Sequence, residues 1–125
     1  MSRSDFLSVN LAEQCLSLAG EVNKVYQHLP WALKNEYVNR LKRKMHQMAQ
    51  DVQAAQDSKS ALVTQKRLQS ALGIVHECVP LLSLCLRKAL LSPDLQERWV
   101  KRLNALDVQL SEWLKAGASP RDDSK

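Results

Sequence analysis

Residues 68–94 read LQSALGIVHECVPLLSLCLRKALLSPD, and this stretch decides the fold. Its apolar side chains recur at alternating steps of four and three residues, which is the spacing that lines one face of an α-helix. These positions are Leu68, Leu72, Val75, Val79, Leu82, Leu86 and Ala89. Pro80 lies inside the pattern with no loop residues around it, so the sequence predicts one long kinked helix and not two short ones.

The end of the same stretch predicts the start of a fourth helix. Ser92 can cap it, Pro93 suits the first helical position, and Asp94 favours the positive end of the helix dipole. The apolar positions that follow at helical spacing are Leu95, Trp99, Leu103, Leu106, Leu110 and Trp113. Gly117 stands where a C-terminal glycine cap is expected, so this helix is predicted to end there.

Two further helices are predicted upstream. The first covers about residues 5–29, and Pro30 closes it because proline disfavours helical conformation in the residue before it. Its apolar positions are Leu7, Leu11, Cys15, Leu18, Val22, Val25 and Leu29. Those of the second helix are Leu33, Tyr37, Leu41, Met45, Met48, Val52 and Ala55. The polar run at residues 56–60 ends the second helix, and Ser58 or Ser60 can cap the third.

The whole chain has the size and composition of one helical domain. It has 125 residues, 45% of them hydrophobic, and only three glycines and four prolines from which to build tight turns. Short connections between amphipathic helices favour antiparallel neighbours. We therefore predict an all-α fold, an antiparallel up-down-up-down four-helix bundle over residues 1–117, followed by a disordered polar tail at residues 118–125.

The third helix carries a second apolar track beside the first. This track consists of Ala71, Ile74, Cys78, Leu81 and Cys85. Apolar residues over more than half of a helix surface need cover, and the simplest cover is another copy of the chain. The sequence thus predicts a homo-oligomer whose interface includes Ile74, Leu81 and Leu84. The alternative is a monomer in which this helix is central and well buried.

Positive charge is concentrated in one part of the chain. The sequence has 18 Lys and Arg against 13 Asp and Glu, a net charge of +5, and Glu36 is the one acidic residue among the cations of residues 34–48. Each cation that reaches a phosphate releases condensed counterions, so such stripes suit an RNA or DNA backbone. The predicted nucleic-acid-binding residues are Arg40, Lys42, Arg43, Lys44, Arg98, Lys101 and Arg102. The alternative is a solvated basic face.

The aromatic residues bear on the mode of binding. Trp99 and Trp113 lie on a predicted core track, and Trp31, next to Pro30, is predicted to pack over the end of the bundle. Tyr37 lies on a core track and the chain has one Phe, so bases find little aromatic surface to stack on. Binding is therefore expected to favour a duplex or structured backbone over sequence.

Neither catalysis nor metal binding has support in the sequence. His28, His46 and His76 fall on three different predicted helices, and no Cys-x-x-Cys or His-Glu-x-x-His spacing occurs. A base and a nucleophile are adjacent in His76-Glu77-Cys78, but neighbouring helical residues point about 100° apart. We expect a protein that is not an enzyme, with no catalytic residues, no metal ligands and no cofactor.

The cysteines indicate a compartment. Cys15, Cys78 and Cys85 are predicted to be small buried hydrophobic residues. Their odd number and the polar, mixed sequence of residues 1–10 favour a cytoplasmic protein. The longest apolar-rich stretch, residues 79–86, is far shorter than the roughly 20 residues of a membrane span, so no membrane partner is expected.

Three stretches together resemble a known family of small helical proteins. They are YQHLP at residues 26–30, LLSP at residues 90–93 and LSEWLKAG at residues 110–117. With the basic second helix, they look like the four-helix bundle family that includes the accessory variability determinant proteins of diversity-generating retroelements and the proteins encoded in intervening sequences of large-subunit ribosomal RNA genes. The most specific match is Trp113 with the Leu and Lys that follow it. The Ser-Ile-Pro and Asn-Ile-x-Glu-Gly stretches of the intervening-sequence members are missing, which leaves the subgroup open.

The resemblance implies a homopentameric barrel of four-helix bundles. For the retroelement members it also implies binding to a reverse transcriptase, and to nucleic acid through a basic surface. The expected function is that of a non-enzymatic oligomeric bundle that binds structured nucleic acid as an accessory factor of a reverse transcriptase. The alternative is an oligomeric protein-interaction scaffold with no nucleic-acid role.

Overall fold

The computed structural model describes residues 3–34 and 36–117, with side chains from residue 11 onward. Within these ranges the chain forms four α-helices, one short 3₁₀ turn and no β-strand. The helices are α1 (Arg3–His28), α2 (Glu36–Asp57), α3 (Ala61–Arg87) and α4 (Pro93–Gly117), and the 3₁₀ turn is Trp31–Leu33. The four predicted helices are confirmed, whereas the predicted tail at residues 118–125 lies outside the described residues.

The helices form an antiparallel four-membered ring. α1 packs against α2 and α4, and α3 packs against the same two helices. Gln14 pairs with Gln109 and Glu21 with Arg98, so residue numbers rise along α1 as they fall along α4. α2 and α4 therefore occupy diagonal corners of the bundle, which confirms the predicted four-helix architecture.

Both ends of α3 are stabilised by local hydrogen bonds. At its start, the Ser60 hydroxyl accepts a hydrogen bond from the backbone N–H of Val63 at 3.3 Å, as an N-cap should. Pro80 lies within a continuous helix, which confirms one helix and not two. At its end, the Leu90 N–H donates to the Cys85 carbonyl at 2.9 Å, and Ala89 has a φ of 57°. Ala89, which the sequence predicted to be helical, instead adopts the left-handed conformation that terminates many helices.

The second apolar track of α3 is covered by its own bundle. Ala71, Cys78 and Cys85 are fully buried, and Ile74 and Leu81 are 9% and 8% exposed within a single chain. Leu84, the third residue of the predicted interface, is half-buried and packs against the core. The premise that this track needs a second copy is therefore wrong, because the two tracks together face α2, α4 and the centre of the bundle. Oligomerisation itself stays a prediction.

The high apolar content of α3 also bears on membranes. By length and composition alone, Ala61–Arg87 could cross a bilayer. One such helix is weak evidence for a span, because the core helix of a soluble bundle meets the same test. Leu68, Val75 and Leu82 of α3 are buried in the bundle, as expected of a core helix.

Replacing Ala89 tests the helix end. A side chain in the left-handed region is strained, and glycine removes that strain at a partly offsetting entropic cost. We expect Ala89→Gly to raise the free energy of unfolding by about 0.5–1 kcal/mol and the melting temperature by a few degrees. Ala89→Val should lower both, since a β-branched residue suits this φ least. Thermal unfolding followed by circular dichroism measures both variants, and equal stabilities would contradict the assigned helix end.

Candidate nucleic-acid-binding surface

Four cations on the middle of α2 form what we call the α2 ridge, which consists of Arg40, Lys42, Arg43 and Lys44. Two of them are paired with carboxylates. Arg40 lies 2.8 Å from Glu36 one turn earlier, and Lys44 lies 2.5 Å from Glu77 of α3. Both pairs are solvent-exposed, so they hold the side chains only weakly and remain sensitive to salt.

Of the two ridge cations without a carboxylate among the described residues, Lys42 contacts Tyr26 and Arg43 has no such contact. Its side chain is exposed and makes no hydrogen bond or ion pair with the described part of the chain. It lies between two grooves. One, of about 620 Å³, runs between α1 and α2 and is also lined by Lys42 and His46. The other, of about 450 Å³, runs between α2 and α3 and is also lined by Arg40 and Lys44. All four predicted cations of α2 thus border one continuous surface.

The α1/α2 groove has a floor of small side chains. Ala19 and Gly20 line it on the α1 side, and no described atom outside the neighbouring stretch of α1 lies within 4 Å of the position that a Cβ on Gly20 would take. The groove therefore stays open above Gly20, with cations along its α2 wall. Sequence reasoning missed this pairing, because nothing in the sequence sets the α1 residues opposite the α2 residues.

Two lysines contact the ring of Tyr26, which lies near the C-terminal end of α1. The Nζ of Lys42 lies 4.7 Å and that of Lys34 5.4 Å from the centroid of the Tyr26 ring. Both distances fit a cation–π interaction, which orients the ammonium groups without neutralising them. Lys34 belongs to the basic stretch of the sequence, but its place beside Tyr26 of α1 could not be predicted from that stretch alone.

The predicted cations of α4 have a different environment. Glu21 of α1 lies 2.7 Å from Arg98 and 2.9 Å from Arg102, and it also accepts a hydrogen bond from Trp99 Nε1 at 2.9 Å. Lys101 lies 3.6 Å from Glu97. The two Glu21 pairs hold α4 against α1, and together with the Lys101–Glu97 pair they cancel most of the local charge.

The two predicted basic clusters do not form one surface. α2 and α4 lie at diagonal corners, so within one protomer the structure separates Arg40, Lys42, Arg43 and Lys44 from Arg98, Lys101 and Arg102. The groove beside the α4 cations is also lined by Asp94 and Glu97, which makes it mixed in charge. The α2 ridge is thus the stronger candidate for an anionic ligand.

A buried carboxylate fixes the orientation of α2. Asp51 is 1% exposed and accepts hydrogen bonds from Gln47 at 3.2 Å, Arg67 at 3.1 Å and Ser70 at 2.5 Å. The last two donors belong to α3, so Asp51 links the two helices in their interior. Sequence reasoning missed Asp51, because a carboxylate less than two turns from the helix end looks like any solvated residue.

The cysteines and histidines form no reactive constellation in the residues described. Burial raises the pKa of Cys15 and of Cys78 to about 12, and it also raises the pKa of Cys85. All three are free, buried thiols. His76 faces Asp107 of α4 at 3.3 Å instead of Cys78. No group of three or more potential metal ligands lies together in the described chain.

The architecture defines a protein of the four-helix bundle class, and the fold is also found in a solved structure. The chain is similar to the crystal structure of a protein of unknown function from the S23 ribosomal protein family of Bacteroides thetaiotaomicron. The two align with a TM-score of 0.80 and 16% sequence identity over 87% of this chain and 98% of that one. No family model matches the sequence, and no curated protein matches it. The likeness shows a common fold, while the resemblance to retroelement accessory proteins stays a prediction.

The Glu21 cluster predicts how stability depends on pH. Burial alone would raise the pKa of Glu21, but the hydrogen bonds from Trp99 and Arg98 and the charges of Arg98 and Arg102 together lower it. A carboxylate with a lowered pKa stabilises the fold above its unfolded pKa of about 4.3, and this stabilisation is lost as pH falls through the folded pKa. We expect Glu21→Gln to lower the melting temperature at neutral pH and to flatten its decline in acid.

Thermal melts between neutral and strongly acidic pH measure the effect. Glu13→Gln is the matched control, because Glu13 is an exposed carboxylate on the same helix. Parallel curves for Glu21→Gln and the wild type would show that the cluster contributes nothing to acid sensitivity.

Proposed function

We propose that this protein binds the phosphate backbone of structured RNA or DNA through the α2 ridge and acts without catalysis. The observation that carries the proposal is Arg43, an exposed guanidinium with no carboxylate partner among the described residues, between two cation-lined grooves. An unpaired guanidinium offers a planar set of donors that matches phosphate oxygens. The neighbouring cations of the ridge provide the charge density that backbone binding requires.

The cations of α4 have a secondary role in this proposal. A phosphate must compete with Glu21 for Arg98 and Arg102, and with Glu97 for Lys101. Their contribution to affinity is therefore smaller than that of the α2 ridge.

The resemblance to the retroelement accessory proteins supports the remaining parts of the proposal. We infer a cytoplasmic homopentamer that binds nucleic acid together with a reverse transcriptase. Repetition of the α2 ridge around a ring would multiply the number of phosphates contacted and steepen the dependence of affinity on salt. The Ile74, Leu81 and Leu84 surface supplies little of such an interface, because a single chain already covers most of it.

Light scattering of the purified protein tests the assembly. The expected mass is five times the 14.2 kDa of the chain. A mass equal to that of one chain at all concentrations would contradict the pentamer. The α2 ridge would then occur only once in each binding unit.

A charge reversal tests the binding surface. Arg43→Glu should weaken binding to a hairpin RNA by about tenfold, the equivalent of one charged contact. It should also lower the slope of log affinity against log salt by about 1. Because Arg43 makes no hydrogen bond or ion pair with the described part of the chain, the Arg43→Glu protein should have the melting temperature of the wild type. Filter binding or fluorescence anisotropy at several salt concentrations measures both quantities.

Lys101→Glu is the matched control for this experiment. It makes the same change of charge on an exposed helix surface, but on α4, where Lys101 already faces Glu97. We expect a clearly smaller loss of affinity than for Arg43→Glu. Equal losses would indicate a response to net charge alone, and unchanged affinity in Arg43→Glu would show that the α2 ridge is not the binding surface. Failure of the wild type to bind RNA at all would favour the protein-interaction scaffold.

A further inference from the structure

A tryptophan stands exposed at the end of the bundle where α1 passes into α2. The side chain of Trp31 is 88% exposed, so the prediction that it packs over the bundle end is wrong. Its backbone is nevertheless held in place. Leu33 N–H donates to the Pro30 carbonyl at 2.9 Å, and Lys34 N–H donates to the Trp31 carbonyl at 3.1 Å. The backbone of the 3₁₀ turn is therefore held by hydrogen bonds, while the turn exposes a large aromatic ring to solvent.

The turn that carries Trp31 is joined to two lysines. Lys34, whose N–H donates to the Trp31 carbonyl, extends its ammonium group over the Tyr26 ring, and the ammonium group of Lys42 lies near the same ring. Neither lysine has a carboxylate within 4 Å among the residues that the structure describes. Lys42 also lines the α1/α2 groove with Arg43. A line of cations thus leads from the α2 ridge to the turn that carries the exposed ring.

Trp31 does not belong to an apolar patch. The other large apolar side chains that are exposed in the described chain are Leu16, Leu62, Val63 and Val108, and each lies on a helix away from this turn. Insertion into a membrane interface requires a broad apolar face, and a single ring among lysines does not supply one. An aromatic ring next to cations fits a ligand that has both a flat π face and a phosphate, and the nucleotides of a nucleic acid have both.

We propose that Trp31 stacks on an unpaired base of the nucleic acid while Lys34 and Lys42 bind the adjacent phosphates. This inference rests on the proposed function and adds the kind of nucleic acid preferred, a duplex or hairpin flanked by single-stranded residues. It replaces the expectation, drawn from the small number of aromatic residues, that bases are not stacked. A single ring is enough for one stacking contact, provided that it is exposed.

The tryptophan fluorescence of the protein reports this contact directly. Trp99 and Trp113 are 1% and 6% exposed, so a ligand in solution can reach only Trp31 among the three. Stacking of a base on the indole should quench the solvent-exposed part of the emission. The titrations use two RNA hairpins with the same stem, one blunt and one with a short single-stranded overhang.

We expect the overhang hairpin to quench the exposed emission and to bind about tenfold more tightly than the blunt one. Trp31→Ala should remove both the quenching and the preference for the overhang while binding the blunt hairpin as the wild type does. Trp31→Phe should retain part of the preference, because a smaller ring still stacks. Since the side chain is exposed, all variants should show the melting temperature of the wild type.

The two proposals fail in different ways. If Trp31→Ala binds both hairpins as the wild type does, the stacking inference is overturned, while binding through the α2 ridge stands. If neither hairpin binds the wild type, the proposed function fails first and the stacking inference with it. Quenching or a blue shift by anionic lipid vesicles, with no effect of either hairpin, would overturn the inference in favour of a membrane surface.

Discussion

The hydrogen bonds to Asp51 set the orientation on which the candidate surface depends. A buried carboxylate costs several kcal/mol unless donors compensate it, so rotation of α2 that broke its contacts to Arg67 and Ser70 would be penalised at once. Arg43 lies eight residues before Asp51, about 80° around the same helix. By fixing which side of α2 faces α3, Asp51 also fixes the direction in which Arg43 faces solvent.

Much of the fold could be predicted because helix period and punctuation are local properties. Pro30, the Ser60 cap and Pro93 mark helix ends within a few residues of where they occur. The second apolar track of α3 was misinterpreted for a physical reason. A helix between two neighbours in a ring needs an apolar face wide enough to meet both and the centre, so the width of that face is not a sign of a further copy.

The candidate site was less predictable because charge pairing is not local. The clusters on α2 and α4 look alike in sequence, yet Glu21, which lies on α1, pairs with two of the three cations of the α4 cluster. In the α2 cluster, Glu77 pairs with only one cation, Lys44, which lies 33 residues away in sequence. Trp31 is a further case, because the sequence predicted a packed side chain and the structure shows an exposed one. Its neighbours in sequence gave no sign that the ring would stand clear of the bundle, because exposure depends on how the helix ends meet.

The reactivity of the buried thiols described above reports when parts of the bundle open. A thiol with a pKa near 12 is almost never ionised at neutral pH. The packing around Cys15 and Cys78 also keeps reagents away from both thiols. Each cysteine therefore reacts only when its surroundings open. Since Cys15 lies on α1 and the other two lie on α3, their separate rates of alkylation would distinguish local fraying of one helix from opening of the whole bundle.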